Sequence, residues 1–120
     1  MNRKLAGRLD FLISSLGIKK MDFARRIQYT PAYVSMVLNS AKPDPGHRFI
    51  DAVCREYNVN HEWLTGGKEP VFIVPGMDLP PDRAEVLAKL NLLSNEKRQL
   101  IIEIINAFLV NDMTEDKEKR

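Results

Sequence analysis

Lys20-Met21-Asp22-Phe23-Ala24-Arg25-Arg26-Ile27-Gln28-Tyr29-Thr30-Pro31-Ala32-Tyr33-Val34-Ser35-Met36-Val37-Leu38-Asn39 reads as two short helices joined by a tight turn. From Lys20 to about Ile27 the spacing turns Phe23, Ala24 and Ile27 to one side and Lys20, Asp22, Arg25 and Arg26 to the other. Thr30-Pro31 then supplies an N-cap hydroxyl followed by a proline at the first helical position, where its missing N–H costs nothing. A second helix must start there and run to about Asn39, with Val34, Val37 and Leu38 inward. Ala32, Tyr33, Ser35, Met36 and Asn39 are left for solvent or a ligand.

Upstream, Leu5, Leu9, Leu12, Ile13 and Leu16 recur at helical spacing from about Asn2, and Gly17 follows where a glycine ends a helix. Downstream, Lys42-Pro43-Asp44-Pro45-Gly46 must be a loop, because two prolines in three residues stop a helix. Phe49, Ile50, Val53, Cys54 and Tyr57 then define a fourth helix that ends at Asn58. Asn60 caps a short fifth helix holding Trp63-Leu64 and closed by Thr65-Gly66-Gly67. No strand pattern or repeat interrupts these elements, so the expected fold class is all-α, a five-helix bundle over residues 1–69.

Pro70, Pro75, Pro80 and Pro81 mark residues 70–81 as a linker, in which Val71-Phe72-Ile73-Val74 has the composition of one extended strand. Two further helices, about 82–93 and 95–111, are separated by the N-cap candidate Ser94 and make up a C-terminal segment spanning 82–113. Residues 114–120 hold no apolar side chain and are expected to be a disordered tail.

With 120 residues the chain has room for one small domain and an accessory segment. It has no bilayer-length apolar run, and Met1-Asn2-Arg3-Lys4-Leu5-Ala6-Gly7-Arg8 is too polar for a signal peptide, so a cytoplasmic protein without membrane contact is expected. The single cysteine, Cys54, excludes an intramolecular disulfide, and neither His47 nor His61 stands at metal-ligand spacing from it, so no metal is expected. Nor is a cofactor or an enzymatic activity: there is no glycine-rich phosphate loop and no histidine–nucleophile arrangement. The net charge of +2 hides an asymmetry. Residues 1–66 carry ten Lys or Arg against six Asp or Glu, whereas residues 67–120 carry eight against ten. A positive N-terminal half suits a polyanion; from charge alone a solvated helical surface is equally compatible.

Helix, three-residue turn, capped helix is the geometry that lays one helix across a DNA backbone and the next in the major groove. On these residues the stretch from Lys20 to Ser35 resembles the lambda-repressor-like helix-turn-helix family, which includes phage repressors, Cro and XRE-type regulators. Ala24 stands at the family's small residue where the two helices cross, and Val34-Ser35 at its Ile/Val-Ser pair. Asn39, Pro43 and Val59-Asn60-His61-Glu62-Trp63-Leu64-Thr65-Gly66 also match phage-type repressors, so the likeness covers about residues 3–70. Two positions depart from it. Gln28 stands where the turn usually carries glycine, and a left-handed backbone there costs about 1 kcal/mol more than in glycine. Lys20 stands where glutamine is frequent, and offers a charge without an acceptor.

The resemblance implies a sequence-specific regulator of transcription, a dimeric repressor of phage or mobile-element type on a palindromic operator in double-stranded DNA. By position, Pro31, Ala32, Tyr33, Ser35 and Met36 would meet the bases, and Lys19, Lys20, Asn39, Lys42 and Arg48 the phosphates. None of the first five makes a bidentate base contact, which leaves discrimination to Asn39, Lys42 and DNA shape. Tyr33 has an alternative place packed on the preceding helix, His47 either touches phosphate or stands idle in solvent, Trp63 reads as a lid on the core, and Cys54 as inert packing. In the last helix Leu100, Ile101, Ile104, Ile105, Phe108 and Leu109 cover about half the circumference, which reads as a homodimer interface or as a face folded back on its own chain. The segment after residue 66 is too short and too helical for a self-cleaving, strand-rich domain. The rival class is a helical protein-interaction module, of antitoxin or anti-repressor type, using the same fold.

Overall fold

The computed structural model describes residues 3–39, 44–74 and 76–118, with side chains as far as Asn111. Its seven helices are α1 (Arg3–Leu16), α2 (Lys20–Arg26), α3 (Pro31–Leu38), α4 (His47–Tyr57), α5 (His61–Gly66), α6 (Pro81–Leu90) and α7 (Asn95–Glu118). No strand is formed among the described residues, so the fold is all-α. The chain divides into two compact units, Met1–Lys89 and Leu90–Arg120.

Local chemistry sets the helix ends. Gly17, at φ 72°, closes α1 with its N–H on the carbonyls of Ile13 and Ser14. Thr30 caps α3 through its hydroxyl, which accepts from the Tyr33 N–H at 3.1 Å, and Pro31 follows as the first helical residue. Asn58 ends α4 in the left-handed region at φ 53°, and the Asn60 side chain accepts from the Glu62 N–H to start α5.

In the first unit Leu5, Leu9, Leu12, Ile13 and Leu16 of α1 are buried, together with Phe23, Ala24, Ile27, Val34, Val37, Phe49, Ile50, Val53, Tyr57, Trp63 and Leu64. Helix α1 packs on α3 and α5, α2 on α3, and α4 on α5. Two polar links reach across this core. The Arg8 guanidinium of α1 donates to the carbonyls of Leu64 and Thr65 at 2.8 and 3.1 Å, satisfying the open end of α5. The Tyr57 ring stacks on Phe23 with centroids 4.7 Å apart, and its hydroxyl donates to the Phe23 carbonyl at 2.9 Å. Burial pushes the Tyr57 phenol well above its ordinary pKa, with the nearby Glu56 charge adding to the effect, so the hydroxyl stays protonated and a donor.

Several details depart from the sequence reading. The segment expected to be able to form a strand makes one isolated antiparallel bridge, Val59 with Phe72, flanked by bonds from the Asn60 N–H to the Val71 carbonyl and from the Ile73 N–H to the Asn58 carbonyl. The reason is local: Val59 is the single residue between left-handed Asn58 and the α5 cap, so there is no partner strand to extend. Phe72 is nonetheless buried, which makes residues 71–73 part of the first unit. Leu38 is only half-buried, and α6 stops at Leu90, with Ala84 and Ala88 buried one turn apart. Helix α7 continues to Glu118 through the segment read as a disordered tail. Once a helix is nucleated, each added residue gains one hydrogen bond, and Glu and Lys are good helix formers. Lys119 and Arg120 lie outside the described residues.

In the second unit Ser94 caps α7 through its hydroxyl, which accepts from the Lys97 N–H at 3.2 Å. The Arg98 guanidinium binds the carbonyls of Leu90 and Leu93 and the Asn95 side chain, fixing the turn before the helix. No described helix is long and apolar enough to cross a membrane.

Replacing Tyr57 by Phe keeps the stacked ring but leaves the Phe23 carbonyl buried without the phenol donor. A loss of about 1–3 kcal/mol in urea unfolding is expected, with helix content unchanged by circular dichroism.

Candidate nucleic-acid interface

The α2–turn–α3 unit is built from the way α2 ends. Carbonyls in the last turn of a helix lack intrahelical partners. In α2 the Phe23 carbonyl accepts from Tyr57, the Ala24 carbonyl from the Tyr29 N–H at 2.9 Å, and the Arg25 carbonyl from the Gln28 N–H at 3.0 Å. The last two bonds are the Schellman pattern, which needs a left-handed residue after the cap; here that residue is Gln28, at φ 63°. Gln28 accepts the cost of about 1 kcal/mol that a left-handed backbone carries without glycine, and the turn keeps its form.

Helix α3 leaves that turn with two opposite faces. Val34 and Val37 are fully or almost fully buried, while Ala32, Ser35, Met36 and Asn39, spaced at three and four residues, share the opposite stripe. Ala32, Met36 and Asn39 are exposed on it, and Ser35 is half-exposed. Pro31 is exposed at the first turn. Tyr33 stands apart from these residues. Its ring lies 4.9 Å from Tyr29 and 5.4 Å from Phe49, Tyr29 meets Phe49 edge-on at 5.2 Å, and the Tyr33 hydroxyl donates to the Pro45 carbonyl at 2.9 Å. Tyr33 is thus packed within the chain, but against the turn and α4, whereas the sequence alternative places it on α2. The signal that could have shown this cluster is an aromatic residue just before the Thr30 cap and another in the first turn of α3, since the residue preceding an N-cap commonly packs back on the start of its helix.

Among the residues read as phosphate contacts, Lys19 and Lys20 are exposed at the start of α2, Asn39 is exposed at the end of α3, and Arg48 is exposed in the first turn of α4. Lys42 lies outside the described residues. Two neighbouring cations are engaged within the chain: Arg26 with Glu56 at 3.3 Å, and Arg25 with Asp22 at 3.8 Å. The N-terminus of α4 has Gly46 at its cap, no side-chain cap bond and no acid in its first turn.

The residues kept aside as packing have that role here. Trp63 is buried, 6.0 Å from the Phe11 ring. Cys54 is half-buried, and burial, with the Asp51 charge second, pushes its thiol up to about 11, which favours the protonated form. In α7, Leu100, Ile104, Ile105, Phe108 and Leu109 are exposed, with Phe108 at 66%, and Ile101 is half-buried. Ile102 and Val110 are exposed as well, so that the polar residues Glu96, Gln99, Glu103 and Asn106 form only a narrow stripe.

Comparison with known proteins finds no matching family, no matching curated protein and no matching solved structure.

The two faces of α3 should respond oppositely to truncation. Met36→Ala is expected to change unfolding free energy by no more than about 0.5 kcal/mol, whereas Val34→Ala should cost about 1–3 kcal/mol through a core cavity. Tyr33→Ala should behave like the core change and lower the melting temperature, measured by circular dichroism.

Proposed function

We propose that this chain is a sequence-specific, double-stranded DNA-binding regulator of transcription of the lambda-repressor-like class, a cytoplasmic repressor of phage or mobile-element type that acts as a homodimer without enzymatic activity. The observation that carries the reading is the α2–turn–α3 unit. A short helix ends in a left-handed turn, a threonine-capped helix follows, and that second helix has two valines in the core and small or polar residues on its outer stripe. A helix presented in this way has the dimensions and the open face that a major groove accepts. The five helices α1–α5 would form the DNA-binding bundle, with Pro31, Ala32, Ser35 and Met36 toward the bases and Lys19, Lys20, Asn39, Lys42 and Arg48 toward the phosphates.

Dimerisation follows from α7. Its exposed Leu100, Ile104, Ile105, Phe108 and Leu109, with Ile101 beside them, present more apolar surface than an isolated helix keeps in water. A second copy would cover this face and set two recognition helices about 34 Å apart on a palindromic operator. Linking two half-sites multiplies the affinity of weak single contacts, and the outer stripe of α3 is weak, with no side chain suited to a bidentate contact before Asn39. That same poverty, with Met36 exposed at its centre, favours the second reading, a helical protein-interaction module of antitoxin or anti-repressor type.

Binding-site selection from a random duplex library, followed by salt titration of the enriched sequence, tests the reading. Each neutralised phosphate contributes about −0.9 to the slope of log K against log salt, and Lys20→Ala should lower that slope by about 1 while weakening all sequences alike. If no duplex is bound at low salt, the interaction-module reading replaces this one. For the dimer, Ile105→Asp should give a monomer mass in sedimentation equilibrium and lower operator affinity by about two to four orders of magnitude. A monomer mass for the wild-type chain at micromolar concentration would remove the dimer.

A further inference from the structure

We infer that Gln28 is a specificity-determining residue, whose side-chain amide reads a base edge beside the first turn of α3; the inference rests on the DNA-binding reading above. Gln28 holds a left-handed backbone at φ 63°, in the one position of the α2–α3 turn where glycine is the favoured residue. The turn takes nothing from its side chain. The bonds that close it, Gln28 N–H to the Arg25 carbonyl and Tyr29 N–H to the Ala24 carbonyl, are both between backbone groups. Gln28 is exposed, and no hydrogen bond ties its amide to another described residue. Folding alone therefore favours glycine here, and a residue held in a sparsely populated conformation that the fold does not need points to a role outside it.

Its place in the chain says what that role is. Gln28 lies two residues before the Thr30 cap, at the end of α3 that a docked helix-turn-helix turns toward the bases. The outward residues of that first turn, Pro31 and Ala32, have no side-chain donor or acceptor, and Ser35 and Asn39 follow one and two turns later. An amide at the head of the helix supplies what those residues lack. It offers a donor and an acceptor together, the pair that matches the N7 and N6 edge of adenine in the major groove.

The test compares the wild-type chain of 120 residues with Gln28→Gly and Gln28→Asn, in binding-site selection, salt titration and thermal melting. Gln28→Gly should melt at the same temperature or higher and keep the salt slope. It should lose the preference for adenine at one pair of symmetry-related positions, with affinity for the wild-type site falling about tenfold to a hundredfold. Gln28→Asn, which tolerates the left-handed backbone but has a shorter reach, should show the same loss. If Gln28→Gly enriches the same sequence with the same affinity, the inference is overturned while the DNA-binding reading stands. A uniform weakening on every sequence with a shallower salt slope also overturns it, because the amide then serves a phosphate. A wild type that binds no duplex takes both away.

Discussion

The Tyr57 hydroxyl donates to the Phe23 carbonyl inside the core, and the rings of the same two residues stack on each other. Much of the N-terminal unit depends on this pairing, because it fixes the closing turn of α2 against α4. A buried carbonyl without a partner is costly, and a buried phenol equally so; each removes the cost of the other. With the Phe23 carbonyl engaged, the Ala24 and Arg25 carbonyls are left to the backbone N–H groups of Tyr29 and Gln28. Those two bonds bend the chain through the left-handed residue and deliver Thr30 where its hydroxyl can start α3. The direction in which α3 leaves is set by this local turn, and the Tyr57 side chain holds the helix before it against α4.

Helix α3 does two kinds of work with its few outward residues. Tyr33 is given to structure: its ring joins Tyr29 and Phe49, and its hydroxyl holds the Pro45 carbonyl, so the start of α3 is tied to the entry of α4. What is left outside is small, apolar or weakly polar. Such a surface fits closely against another surface but carries little hydrogen-bonding information of its own. If DNA is the partner, affinity has to come from phosphate contacts and from pairing of two copies, and discrimination from the ends of the helix and from the shape of the duplex.

Helix α7 presents the opposite case, a helix whose polar residues are too few. Glu96, Gln99, Glu103 and Asn106 form the only polar stripe between Glu96 and Asn111, apart from Lys97 and Arg98 in the first turn. A helix so apolar and so exposed in the single chain is incomplete in energetic terms, since the hydrophobic effect penalises each uncovered Leu, Ile and Phe. A second copy is the proposed cover.

The helix ends of the N-terminal half were legible in the residues themselves. Gly17, Thr30-Pro31, Asn58 and Asn60 act on backbone groups one to four residues away, so their effect is written beside them. The inward positions Leu9, Leu12, Phe23, Val34 and Val53 were legible for the same reason, because a helical period places them on one face whatever lies opposite. The left-handed turn at Gln28 was not legible in its own residues, because the rule that left-handed backbone prefers glycine argues against it there; only the resemblance to a helix-turn-helix pattern pointed to it. The tertiary structure alone decided which side chains meet across the core. The partners Tyr33 and Pro45 are 12 residues apart, Tyr57 and Phe23 are 34, and Arg8 and Leu64 are 56. It also decided that Phe72, in a proline-bounded stretch, is core, and that Tyr33, outward by its spacing, is held inside an aromatic cluster. The physical reason is that periodicity and capping specify what one helix does, whereas burial and buried hydrogen bonds depend on how several helices come together.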